Sequence, residues 1–112
     1  MTMFMQTKCI FKGNLVKKNW YGNKQLRFFE LYGNGEMKYY KDMKDYKGNI
    51  TLGPDTMVRK TAKTTVTIHC EKRKKDFVLI QPDSSQVSFV EEKRLNHCVF
   101  IDDWITEMKK VI

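Results

Sequence analysis

The side chains in this chain with the most evident chemistry are its cations. Across 112 residues there are 21 Lys and Arg against 13 Asp and Glu, a formal charge of +8. The excess is local: residues 1–30 carry six basic and one acidic side chain, residues 31–80 eleven and six, and residues 81–112 four and six. A field of that sign over the first 80 residues attracts anions: nucleic-acid phosphates, phosphorylated lipid headgroups or an acidic protein face. The densest run is Lys72-Arg73-Lys74-Lys75, which reads equally as a solvated turn or as a contact for an anionic surface. Other chemistry has little to stand on. The two histidines, His69 and His97, each adjoin a cysteine. Adjacent residues on a strand point to opposite faces and zinc ligands usually stand two to four residues apart, so these pairs do not read as a metal site. No nucleophile, base and orienting acid occur at motif spacing. The expectation is a non-catalytic protein with no cofactor.

The elements that must position these cations are short strands and one helix. From Lys8 to Gln81 short alternating or apolar runs are separated by Gly, Asn, Asp and Pro, the pattern of consecutive antiparallel strands. The runs are Cys9–Lys18, Lys24–Tyr32, Glu36–Lys41, Gly48–Leu52, Met57–Lys60, Thr64–Glu71 and Asp76–Gln81. Period-2 alternation in the second run puts Arg27, Phe29 and Leu31 on one face. From Phe100 the period changes: Phe100, Trp104, Met108 and Ile112 recur every four residues, which predicts one amphipathic helix with Asp102 and Asp103 in its first turn and Lys109 and Lys110 in its last. Its apolar stripe is suited to closing one opening of a small sheet assembly. Residues 82–99 form an insertion whose Val87, Phe89, Val90 and Leu95 fit a short helix or a further strand.

The size, 13.4 kDa, fits one domain spanning 1–112. With 41% hydrophobic and 12% aromatic residues the chain can build a core, which excludes intrinsic disorder. No apolar run approaches the ~20 residues of a membrane-spanning helix, and Met1 to Met5 is too short for a signal-peptide apolar region. Three cysteines cannot all pair within one chain, which fits a reducing compartment. An intracellular location is expected.

Seven strands and a C-terminal helix bearing a Trp, in this order, resemble a pleckstrin homology (PH) domain. The motifs that carry the resemblance are Lys12-Gly13-Asn14-Leu15-Val16-Lys17-Lys18, Arg27-Phe28-Phe29-Glu30-Leu31, Met37-Lys38-Tyr39-Tyr40-Lys41, Lys47-Gly48-Asn49-Ile50-Thr51-Leu52 and Trp104. Within the family, Lys47-Gly48 after Tyr39-Tyr40 and the basic first hairpin look most like domains attached to phosphoinositide-dependent signalling kinases. The resemblance implies a mainly β fold, a seven-stranded barrel or sandwich of two antiparallel sheets capped by the helix. It also implies a module that binds phosphoinositides or other anionic lipid headgroups, cytoplasmic and peripheral to membranes, with a protein partner as the alternative. Nucleic-acid binding, which a cationic barrel with stacking rings such as Tyr32, Tyr39 and Tyr40 would permit, is disfavoured by the helix that follows the seven strands.

An inositol phosphate displays several anionic groups around a small ring, so its recognition needs converging cations and donors. As the resemblance implies, Lys17 and Arg27 grip ring phosphates at the mouth of the barrel, Tyr40 donates a hydroxyl, and Lys47 adds charge from the hairpin between the third and fourth strands. Lys18 and Lys24 would stand at the pocket rim. Trp20, Tyr21, Lys72, Arg73, Lys74 and Lys75 would face the membrane. Gln25 occupies a position where strong binders of the family often carry Arg or Lys.

Overall fold

A computed structural model describes residues 8–19, 21–42, 44–71, 76–83 and 100–112. Seven strands run in chain order: β1 Cys9–Lys18, β2 Lys24–Tyr32, β3 Glu36–Tyr40, β4 Tyr46–Thr51, β5 Thr56–Ala62, β6 Thr65–Cys70 and β7 Phe77–Ile80; the helix α1, Ile101–Lys110, closes the chain. The expected seven antiparallel strands and C-terminal helix are therefore all present, within about two residues of where alternation and turn residues put them. The strands form one sheet in the order β4-β3-β2-β1-β7-β6-β5. The two expected halves are joined through β1, whose C-terminal end pairs with β7 at Val16↔Ile80, Lys17↔Leu79 and Lys18↔Val78.

Curling of this sheet encloses the core. Leu15, Phe29, Leu31, Met37, Ile50, Leu52, Val66, Ile68 and Leu79 are buried. In β4, β6 and β7 they alternate with more exposed residues, as half-buried strands require, whereas in β1 and β2 the neighbouring Asn14, Val16 and Phe28 are buried as well. One connection depends on glycine. Gly35 has φ +92, and a Cβ there would overlap the Leu52 carbonyl oxygen, while its own carbonyl accepts the Leu52 N–H at 2.8 Å. Backbone meets backbone at this point, so any side chain would force the β2–β3 turn away from the start of the β4–β5 loop.

At the opposite end from the β1–β2 turn, α1 covers the opening. Ile101, Trp104 and Met108 are the buried residues of α1. The fully buried Trp104 ring meets Phe11 edge-on at 4.8 Å between centroids and Phe29 at 6.5 Å, the geometry aromatic quadrupoles favour. Lys60 Nζ reaches Asp102 at 2.8 Å and ties β5 to the first turn, while the Ile101 N–H donates to the Gln81 side-chain oxygen at 3.1 Å. Among the described residues no helix is long and apolar enough to cross a membrane.

Candidate functional site

The uncapped end of the sheet is where β1 turns into β2 and β3 into β4. Register decides which side chains meet there. Lys17 pairs with Gln25 on one side and Leu79 on the other, and Leu15 pairs with Arg27. Lys17 and Arg27 are therefore diagonal neighbours on the inner face, a separation of about 7–8 Å at their Cα atoms. The floor beneath them is aromatic. Phe29 and Tyr39 are paired across β2 and β3 with ring centroids 5.3 Å apart, and Phe77 from the far half of the sheet lies 5.7 Å from Tyr39 and 6.3 Å from Phe29. The Lys17 ammonium stands 5.3 Å from the Phe77 centroid and 5.6 Å from that of Tyr39. Two ring faces thus hold one half-buried ammonium at the mouth, an arrangement worth ~0.5–2 kcal/mol. Arg27 Nη1 donates to the Leu26 carbonyl at 2.9 Å, and no carboxylate among the described residues pairs with it. The inner face of β1, β2 and β3 carries no acidic residue in any described position.

Tyr40 is elsewhere. It pairs with Phe28 and with Tyr46, both on the outer face, where it meets the Tyr46 ring edge-on at 5.7 Å. Burial and then a hydrogen bond to Glu30 push its hydroxyl up to about 12; Glu30 also accepts from the Tyr32 hydroxyl at 2.9 Å. The tyrosine that faces the mouth is Tyr39. Alternation from the buried Met37 could have identified it, since residues 37 and 39 share a face and residue 40 cannot. The same rule separates Lys17 from Lys18. Lys18 and Lys24 are paired with each other, both exposed, on the outer face rather than at an inner rim.

Lys47 belongs to β4, not to the preceding hairpin. The pairs Tyr39↔Gly48 and Tyr40↔Tyr46 leave it as the extra residue of a β-bulge, and its ammonium is 3.2 Å from Asp45. Both partners are largely exposed, so this pair is worth little. Tyr21 is exposed at the tip of the first turn. Trp20, Lys72, Arg73, Lys74 and Lys75, and residues 84–99 of the insertion, lie outside the described residues.

Gly48 is the site's second structural requirement. A Cβ at that position would come within 2.6 Å of the Tyr39 hydroxyl oxygen and 2.9 Å of its Cζ. The ring is held on its other sides by Phe29 and Phe77, so it has little room to yield. Gly48→Ala is expected to cost about 1–3 kcal/mol, the usual range for overpacking, seen as a lowered urea midpoint. It should also displace the Tyr39 hydroxyl from the mouth.

No protein-family model matches the sequence, and no curated protein matches it either. Solved structures do match. The C-terminal PH domain of pleckstrin, in a crystal structure with an inositol pentakisphosphate, superposes with a TM-score of 0.69 over 93% of this chain and 98% of that one, at 18% identity. The PH domain of oxysterol-binding protein-related protein 11 from human superposes with a TM-score of 0.59 over 88% of this chain and 75% of that one, at 17% identity. With seven antiparallel strands in the order β4-β3-β2-β1-β7-β6-β5 closed at one end by Trp104 of a C-terminal helix, the chain has the pleckstrin homology fold.

Proposed function

We propose that this domain is a non-catalytic module that binds the phosphorylated inositol headgroup of a phosphoinositide at its open end and thereby holds the protein, in the cytoplasm, against a membrane. The observation that carries this reading is the Lys17 ammonium fixed over the Tyr39 and Phe77 rings, with Arg27 diagonal to it and no acidic residue on that inner face. Two cations turned to one mouth, on a face whose sequence positions hold no acid, suit an anionic ligand. Arg27 offers a planar fork to two phosphate oxygens, Lys17 a point charge, and the Tyr39 hydroxyl a neutral donor. Lys47, exchanging Asp45 for a phosphate, would add a fourth contact. The bound inositol pentakisphosphate of the similar pleckstrin domain supports the same ligand chemistry.

Sedimentation with vesicles of defined composition tests the proposal. Binding should be stronger to vesicles containing phosphoinositides than to those containing phosphatidylserine at equal charge. It should be competed by soluble inositol polyphosphates and not by oligonucleotides. A domain indifferent to soluble inositol polyphosphate at concentrations that saturate such sites has no headgroup pocket.

A further inference from the structure

Three residues on the outer face of the first hairpin are buried, although the core lies on the inner face. Asn14, Val16 and Phe28 are 7%, 3% and 4% exposed. Register puts them side by side: Asn14 pairs with Phe28, and Val16 pairs with Leu26 on one side and Ile80 on the other. Phe28 also pairs with Tyr40, so Leu26, Ile80 and Tyr40, all half-buried, frame an apolar patch. Neighbours within one sheet stand beside a side chain and do not roof it. A few per cent exposure on a sheet face requires a second layer packed on top. The inner core is not that layer, because Val16 and Phe28 lie outside its cluster. Nor is α1, whose buried Trp104 meets Phe11 and Phe29 from the inner side.

We propose that this patch is a docking surface for an apolar segment of the same chain, residues 84–99, and that Val87, Phe89, Val90 and Leu95 supply the side chains that seat on it. Position selects this segment. β7 ends at Ile80, directly beside Val16, and Pro82, two residues further on, is buried. The chain therefore leaves the sheet at the edge of the patch, with 16 residues between Asp83 and Phe100. Residues 1–7 also hold apolar side chains, Met1, Met3, Phe4 and Met5, but they approach β1 at its Cys9 end. Cys9 is seven strand positions from Val16, about 23 Å at ~3.3 Å per residue, so reaching the patch would take the whole length of that segment. Docked on the patch, residues 84–99 back the two strands that turn Lys17 and Arg27 toward the mouth. This part of the first hairpin is then a packing surface within the chain and not a free face for a partner.

Nuclear Overhauser spectra of the whole chain test this directly. With Val and Leu methyls labelled, the Phe28 ring should show cross-peaks to methyls of Val87, Val90 or Leu95, with those to Val16, its diagonal neighbour in the sheet, as the internal reference. With Met methyls labelled, it should show none to Met1, Met3 or Met5. Cross-peaks to those Met methyls instead, or to neither segment, overturn the proposal. A stability cycle gives an independent reading. The Val87→Ser, Phe89→Ser, Val90→Ser, Leu95→Ser variant should raise the unfolding equilibrium constant at least about tenfold. Phe28→Leu should raise it about tenfold in the wild-type chain and less than about threefold in that variant, since contacting residues are not additive. An equal effect of Phe28→Leu in both backgrounds overturns the proposal, as does an unchanged unfolding constant in the serine variant.

Discussion

Replacing Lys17 and Arg27 together by alanine is expected to weaken binding of a soluble inositol polyphosphate by at least about 100-fold, measured by calorimetry at fixed salt. Hydrogen bonds to charged groups contribute about 1.5–3 kcal/mol each, and two of them lost together exceed the ~2.7 kcal/mol that corresponds to a factor of 100. Arg27→Ala alone should account for more than half of the loss, because a guanidinium engages two oxygens where an ammonium engages one. Tyr39→Phe should add a smaller loss and Tyr40→Phe none, since Tyr40 is on the other face beside Phe28 and Tyr46. The double variant should remain folded, losing no more than the ~0.5–2 kcal/mol of the Lys17 contacts with the Tyr39 and Phe77 rings. Equal affinities for wild type and double variant would remove the pocket while leaving the fold as it is.

The largest stability effect is expected at Trp104. Its ring is fully buried and touches both Phe11 from β1 and Phe29 from β2, so it joins the helix to the first hairpin. Trp104→Ala should cost about 3–5 kcal/mol through lost burial and the cavity left behind. Against a total of about 5–15 kcal/mol for a typical domain, that is enough to leave a partly unfolded population, read as a collapse of the urea midpoint. Phe100→Ala, at a ring 60% exposed just before the same helix, is the control and should change the unfolding free energy by no more than about 0.5 kcal/mol. A small effect at Trp104 would mean that the sheet holds together without its cap.

The two halves of the chemistry are linked through the same strands. Phe29 packs on Trp104 at the closed end and on Tyr39 and Phe77 nearer the open end, so the core that stabilises the domain is also the floor on which Lys17 rests. Substitutions at Phe29 are therefore expected to affect both folding and headgroup affinity, whereas those at Lys18, Lys24 or Arg59 touch neither the core nor the floor.

Much of this was legible in the order of residues. Turn-forming Gly, Asn and Pro marked the strand ends, alternation placed Arg27, Phe29 and Leu31 together, and the four-residue spacing through Trp104 and Met108 marked the helix and two residues of its buried face, because these signals act over a few neighbouring residues. Tyr39 was legible too: counting by twos from Met37 separates it from Tyr40. The β4 bulge that sets Lys47 apart was not, since nothing in Lys44-Asp45-Tyr46-Lys47-Gly48 says which residue will go unpaired. Only the tertiary structure put Arg59 in line with Lys24 and Lys18, 35 and 41 positions away, and Phe77 beneath Lys17. Both depend on β1 pairing with β7, and a register between strands so distant in sequence is fixed by the packing of the whole core rather than by any local preference.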